Sequence, residues 1–464
     1  MAIWRKILST DTHSFRKFAE FFTARYITVN KQNMSQEIEL KFLVHPSAPD
    51  ALRTVLNTLP GDHTIPCKLL NIYYETPDMQ LRRHDMGLRI RGVDGRYEMT
   101  MKTAGQTVGG LHQRPEYNVE LSEPELALSR FPQDIWPEGM DVVALESKLA
   151  PLFRTDFERE KWVVTYGESR IEIALDQGEI HSGEFSEPLC ELELELLEGR
   201  VEDVLGLARE HLLRDGLRQG SLSKAARGYH LARGNAPREL KPLGVMETAP
   251  KATLEQGLSS ALELALAHWQ YHEELWVRGV PGAQAQVAEA VALVRHTLAL
   301  FGGVVPRKAS THLREQLSQL TDALPGATDA LAWSALSGDA KLTLTDWMVT
   351  RGWLAFLNDA ARNKLAGSLK RFADTHLSRA SAELKETFRQ PLTGRYTEQL
   401  PRLERIIHTA FVLSGFYPRG ERQAWIDGWQ ALRHAISANL IHEIEPLRKQ
   451  ALSAAPFWRH SGQH

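Results

Sequence analysis

From Gln36 onward, apolar and polar residues alternate. In QEIELKFLV, Ile38, Leu40 and Phe42 separate Glu37, Glu39 and Lys41. Side chains along a strand alternate between faces, so the pattern predicts a strand with one apolar and one charged side. The same period of two recurs in LLNIYYET, MGLRIRGV, RYEMTMKTA, RPEYNVELS, DFEREKWVVTY, SRIEIALDQGEI and PLCELELELLEG. Asp94-Gly95 supplies a tight turn between two of these segments and predicts a hairpin. So many strands with turn residues between them suit a large antiparallel sheet closed into a barrel, because closure leaves no exposed edge. Short helical insertions are expected at 48–59 and 201–213.

Near residue 235 the period changes. The stretch 236–250 holds Pro237, Pro242, Pro250 and Gly244 and is expected to be a linker that lets two domains rock. Beyond it Leu254, Leu258, Leu262 and Leu266 recur every four residues and Trp269 continues the stripe. Val287, Val291, Val294, Leu298 and Phe301 mark a second helix. The expected class is therefore α+β: an antiparallel β-barrel over 34–235, then an all-helical bundle over 251–464. Eight of the 11 tryptophans follow residue 250, where helix-packing anchors are their expected use. Residues 1–33 look foreign to the rest of the chain. FRKFAEFFTARY has the makings of a short amphipathic helix, but the segment is expected to be a peripheral or poorly ordered extension, with Met34 a natural alternative start.

Composition narrows the class. A chain of 464 residues with 43% hydrophobic and 24% charged residues is an ordinary folded protein, long enough for more than one domain. Its formal net charge of -3 gives no strong signal for nucleic acid or an anionic membrane. Cys67 and Cys190 are the only cysteines, too few for a disulfide scaffold, and a reducing cytoplasm is expected. No long apolar run suits a membrane span, and the N-terminus does not read as a secretory signal.

The charged strand faces carry the candidate chemistry. Glu37, Glu39 and Lys41 share one face. Arg89 and Arg91 share another, as do Glu98, Thr100 and Lys102, then Arg114, Glu116, Asn118 and Glu120. Later rows are Arg170, Glu172, Ala174 and Asp176, and Glu191, Glu193 and Glu195. A solvated sheet face explains any single row. Consecutive carboxylates repel one another, however, and Mg²⁺ or another hard divalent cation would relieve them. Arg89, Arg91, Lys102 and Arg114 suit a compact polyanion, because guanidinium forks match phosphoryl oxygens. Both signs in one cavity make sense for a phosphate–metal complex.

These residues carry a resemblance. EIELK at Glu37–Lys41 resembles the ExExK signature of the CYTH superfamily, the triphosphate tunnel metalloenzymes. YYETP (Tyr73–Pro77), LRIR (Leu88–Arg91), TMK (Thr100–Lys102), RPEY (Arg114–Tyr117), ALDQG (Ala174–Gly178), ELELEL (Glu191–Leu196) and SK (Ser223–Lys224) follow in the same order. The resemblance covers about 34–235 and implies a barrel forming a tunnel with inward charges. It implies Glu37, Glu39, Asp176, Glu191 and Glu193 as ligands of Mg²⁺ or Mn²⁺. It implies Lys41, Arg89, Arg91, Lys102, Arg114, Arg154 and Lys224 as triphosphate contacts, with Glu37, Glu39, Lys41 and Lys102 at the centre of the chemistry. The helical remainder resembles the CHAD domain, associated with polyphosphate binding. Its local signature is degraded: AQVAEAVALVRHTLALF retains mainly Arg295 and His296, and RLERIIHTAFVLSGFYP contributes Arg402, Arg405 and His408.

The combined architecture resembles bacterial inorganic triphosphatases and implies metal-dependent hydrolysis of inorganic triphosphate to pyrophosphate and phosphate. Longer polyphosphate is a further expected partner, through the helical domain. The alternatives are an adenylyl cyclase or another nucleoside or thiamine triphosphate enzyme, and a non-catalytic polyphosphate binder. The histidines of the helical part form no zinc motif, and RGVDGR lacks the composition of a P-loop. Oligomeric state is not legible from the helix stripes.

Overall fold

The structure, a computed structural model, describes residues 34–459. The extension expected at 1–33 lies outside the described residues. The barrel strands are β1 (Met34–Val44), β2 (Gly61–Glu75), β3 (Gly87–Val93), β4 (Arg96–Lys102), β5 (Gln106–Val108), β6 (Leu111–Leu121), β7 (Ala150–Tyr166), β8 (Ser169–Ser182), β9 (Phe185–Glu198) and β10 (Leu217–Gln219). Their order is β10-β1-β9-β8-β7-β2-β3-β4-β6-β5, and an added β1–β6 pairing closes β1, β9, β8, β7, β2, β3, β4 and β6 into a ring. Every ladder in it is antiparallel. The expected barrel is therefore present, and the Asp94-Gly95 turn joins β3 to β4 with positive φ at both residues (48° and 78°), as a two-residue hairpin of this type requires.

The barrel wears its apolar face outward. Leu40, Phe42, Ile171, Ile173, Leu192 and Leu194 are buried on the outside of β1, β8 and β9, where the helices Pro49–Leu56 and Val201–His211 contribute to the same core. Leu88, Ile90, Met99, Met101 and Val119 form a second outer layer with Leu81, Leu128, Phe131 and Leu145. With both outer walls sheathed, the polar faces of the strands turn to the lumen. One end of that lumen is filled by the helix Lys224–Ala232, whose Tyr229 and Leu231 pack with Leu69, Tyr73, Phe153, Phe157, Ile180 and Leu189. Gly228 makes this approach possible, since a Cβ there would lie 2.1 Å from the Phe153 ring.

The helical part follows the predicted stripes. The helices Leu254–Val277 and Ala283–Leu300 pack on each other, and the bundle ends with Leu400–Leu413, Arg419–Ser437 and Ile441–Ser453. Trp269 and Trp429 are wholly buried, Trp333, Trp347, Trp353, Trp425 and Trp458 nearly so, which fits their expected use as anchors. The stretch 236–249 has neither helix nor strand and is tied to the helical part at several points. Its Met246 N–H donates to Phe411 O (2.8 Å), its Lys241 N–H to His272 Nε2 (3.0 Å), and Arg422 bonds Glu247 (3.0 Å). The outer core of the barrel also runs without a break into the bundle, where the helix Gly338–Val349 lies against the helix Val201–His211, β5 and β10.

Deep in the bundle Lys341 Nζ meets Glu273 Oε2 at 2.6 Å, both side chains fully buried. Removing one partner of such a pair strands a charge. Glu273→Gln is expected to lower unfolding free energy by about 3–5 kcal/mol, whereas Glu273→Leu combined with Lys341→Met should recover most of that loss. Denaturant titration followed by tryptophan fluorescence gives both values.

Candidate active site

Strand register sets the site. Directly opposed residues share a face, and the ladders pair Glu37 with Arg114, Glu39 with both His112 and Glu195, and Lys41 with Glu193. They also pair Asp176 with Glu191 and Arg159, Arg89 with Tyr73 and Thr100, Arg91 with Asn71 and Glu98, and Lys102 with Glu116. The alternating rows of separate segments thus converge in one lumen.

Two groups of charges face each other there. In the first, Lys41 Nζ contacts Glu191 (2.8 Å) and Glu193 (2.7 Å), and Lys224, reaching in from the plugging helix, contacts Asp176 (2.7 Å), Glu193 (2.8 Å) and Glu191. Arg159 forks onto Asp176 with two 2.7 Å bonds and reaches Glu193 at 2.8 Å. Oxygens of Asp176, Glu191 and Glu193 all lie within 4.8 Å of one another, a spacing a cation could bridge. The cations around them hold Asp176 and Glu193 below the usual carboxylate range despite full burial.

In the second group Lys102 Nζ bonds both Glu37 oxygens (2.7 and 2.6 Å) and approaches Glu116 at 3.2 Å, with Arg89 3.9 Å from Glu116. Arg91 Nε donates to Asn71 (2.9 Å) and finds no carboxylate among the described residues. Arg114 makes neither hydrogen bond nor ion pair among them, and the buried Nε atoms of Arg89 and Arg114 lack partners. Burial and the neighbouring Arg89 and Arg159 bring Arg91 down to about 10. Burial and nearby Arg82 also lower Arg114. Buried guanidinium groups with open donors are suited to an anionic guest.

The converse holds on the acidic wall. Glu39 and Glu195 make no hydrogen bond or ion pair among the described residues, although they oppose each other on β1 and β9. Burial, then repulsion from Glu193, raises Glu39. Burial with Glu172, Glu116 and Glu39 pushes Glu195 up to about 7, and burial pushes Glu37 up to about 8. Carboxylates crowded and short of counter-charge are a donor set that fits a hard divalent cation.

Of the residues expected from sequence, Glu37, Glu39, Lys41, Arg89, Arg91, Lys102, Arg114, Asp176, Glu191, Glu193 and Lys224 come together in this lumen. Arg154 does not. It pairs with Ile72 and His181 on the opposite face of β7 and is exposed, because the inward residues of that strand are Phe153, Thr155, Phe157 and Arg159. The arginine that β7 turns into the lumen is Arg159. Glu195 completes the expected row of Glu191 and Glu193, and one further tunnel residue, His112, extends the expected Arg114 row by one step. In the helical part Arg295, His296, Arg405 and His408 meet, with Arg314, around a cavity of about 470 Å³.

The CYTH domain family model matches residues 35–229, and the CHAD domain model matches 260–438. The chain carries a CYTH domain followed by a CHAD domain. Over 199 residues the chain is 39% identical to the inorganic triphosphatase of Haemophilus influenzae, an alignment covering 43% of this chain. It spans 55% of the length of that relative. Among solved structures, a Hippeastrum protein described as an adenylyl cyclase candidate with dominant triphosphatase activity is 20% identical, with a TM-score of 0.34 over 44% of this chain and 99% of that one. The Mimivirus capping enzyme triphosphatase is 14% identical, with a TM-score of 0.26 over 43% and 94%. Likenesses that limited decide nothing about this chain's chemistry. No helix among the described residues is long and apolar enough to cross a membrane.

The elevated Glu195 of the CYTH domain makes a pH test. Unfolded, this carboxyl ionises near 4.5; folded, near 7. Its contribution to stability is therefore complete below 4.5 and is lost as pH rises through 7, a change on the order of 2 kcal/mol for a group still partly exposed. Unfolding titrations between pH 4.5 and 8 should show wild type losing stability relative to Glu195→Gln by that amount.

Proposed function

We propose that this chain hydrolyses inorganic triphosphate to pyrophosphate and phosphate, with Mg²⁺ or Mn²⁺ as cofactor. The observation that carries the reading is one closed lumen that holds guanidinium groups with open donors beside carboxylates short of counter-charge. The identity to the Haemophilus triphosphatase supports it.

On this reading Arg89, Arg91, Lys102 and Arg114 grip the phosphoryl oxygens and hold the chain of phosphates straight along the barrel. As the terminal phosphoryl group departs, charge spreads over its oxygens, and these fixed cations neutralise it without reorganising. Glu37 and Glu39, with Asp176, Glu191 and Glu193, are the residues that would hold divalent metal. When bound, such an ion polarises phosphoryl oxygen and eases ionisation of water. Lys41, Lys224 and Arg159 keep the inner carboxylates ionised and oriented while the lumen is without a guest. In the helical domain, the cavity formed by Arg295, His296, Arg314, Arg405 and His408 is the place where longer polyphosphate would be held.

Phosphate and pyrophosphate release should be measured with triphosphate, ATP, thiamine triphosphate and long polyphosphate, each with Mg²⁺ or Mn²⁺. Triphosphate is expected to give the highest kcat/KM, and ATP to yield no cyclic nucleotide; a cyclic product would replace this reading with the cyclase one. Glu39→Gln and Lys102→Ala should each lower kcat by about 10²–10³-fold, the scale of losing one electrostatic contact to the transition state. Unchanged rates in both would remove the assigned walls from the chemistry. In the same assay, Arg154→Ala should stay within about twofold of wild type, while Arg159→Ala, which removes the fork on buried Asp176 and leaves it to Lys224 alone, should fall at least tenfold.

A further inference from the structure

TVGGLH, residues 107–112, turns β5 into β6 at the place where the barrel meets the helical domain. Both glycines hold positive φ, 60° at Gly109 and 95° at Gly110. Neither tolerates a side chain. A Cβ on Gly109 would lie 2.1 Å from Thr345 Oγ1 and 2.8 Å from the Leu266 side chain, and one on Gly110 would lie 2.6 Å from Gly220 O. The turn is gripped from two sides. On the outside, Gly109 O accepts from Gln270 Nε2 of the helical domain (2.8 Å) and from Gln219 Nε2, which also donates to Thr345 Oγ1 (2.7 Å). On the inside, the N–H of Lys41 donates to Gly110 O at 3.0 Å.

Two residues past Gly110 stands His112. It opposes Glu39 in the β1–β6 ladder and so belongs to the inner row that continues with Arg114 and Glu116. Its Nδ1 is fixed 3.0 Å from the Thr107 hydroxyl, across the turn. Its Nε2 is buried and has no partner among the described residues. The bond to Thr107 alone would suffice to pin the turn. A second ring nitrogen left bare inside a charged lumen, with Lys41, Lys102 and Arg114 among the groups acting on it, points instead to a guest.

We propose that His112 Nε2 donates a hydrogen bond to a phosphoryl oxygen of the bound triphosphate, and that Gln270 of the helical domain positions it by clasping Gly109. This rests on the triphosphate reading above. With Nδ1 accepting from the Thr107 hydroxyl the proton lies on Nε2, which is the tautomer this proposal assigns and an anionic guest requires. His112 is then a substrate-contacting residue, and Gln270 is a positioning residue that never enters the lumen. Through this turn of backbone the helical domain reaches the tunnel wall.

The test is a double-mutant cycle read as binding. Calorimetry with inorganic triphosphate, without turnover, is run on the full chain for wild type, His112→Phe, Gln270→Ala and the double variant, with melting temperatures recorded for each. His112→Phe is expected to weaken Kd by about tenfold, the size of one lost hydrogen bond. Gln270→Ala should weaken it about three- to tenfold in the wild-type background and leave it unchanged when His112 is already Phe, because the two act as one unit. In turnover assays the same variants should raise KM with kcat nearly constant. If His112→Phe does not fold, His112→Asn carries the same expectation. An unchanged Kd in the His112 variant overturns the contact. An equal Gln270→Ala effect in both backgrounds overturns the positioning role and leaves a structural one. A wild-type chain that binds no triphosphate overturns the proposed function and this inference together.

Discussion

Everything in this molecule depends on placing opposed charges inside a closed sheet. Charges removed from water must find partners, and the cost of failing to do so is several kcal/mol per ion. The barrel meets that demand across the lumen: Lys41 and Lys224 share Glu191 and Glu193, Arg159 forks onto Asp176, and Lys102 bridges Glu37 and Glu116. It cannot meet it everywhere. The side chains of Arg114, Glu39 and Glu195 have no hydrogen-bond or ion-pair partner among the described residues.

Such an interior dictates the exterior. With polar faces turned inward, the stability that an ordinary small barrel draws from its core must come from outside the strands. Here the outer faces of β1, β8 and β9 lie under helices, those of β3, β4 and β6 under a second apolar layer, and the first of these cores continues into the helical bundle. The CHAD domain is thus part of what keeps the barrel's outer face dry. The same seam carries specific polar ties. Arg278 bonds both Glu274 of its own helix and Glu187 of β9, and Glu187 also holds Arg227 of the plugging helix, which in turn delivers Lys224 to the inner carboxylates.

The period-two pattern made most of this legible, because a strand's two faces are written alternately in its sequence. It misled at β7. The rule that apolar residues face out and charged residues face in fails where the helix Lys224–Ala232 enters the lumen, since Phe153 and Phe157 turn inward there to meet it. Arg154, implied by the resemblance, has the outward phase of that strand, and Arg159 has the inward one. His112 was missed for a different reason: the inner row of β6 begins two residues before RPEY, beyond a short turn whose hold by Gln219 and Gln270 is a tertiary contact. Nor could spacing announce the Glu273–Lys341 pair, whose partners lie in different helices and meet only when the bundle packs.

Charge balance inside the lumen also bears on what it can admit. Glu37, Glu39, Glu116, Asp176, Glu191, Glu193 and Glu195 are set against Lys41, Arg89, Arg91, Lys102, Arg114, Arg159 and Lys224, so the formal charges of these residues cancel when every carboxyl is ionised. A bare polyanion would bring uncompensated charge into a low-dielectric space, and a free divalent cation would do the same with opposite sign. A polyanion with its counter-cations adds little net charge, and its two components match the two walls. Coulomb energy therefore favours the pair over either part alone, which makes binding of phosphate chain and metal interdependent before any catalytic role for the metal is invoked.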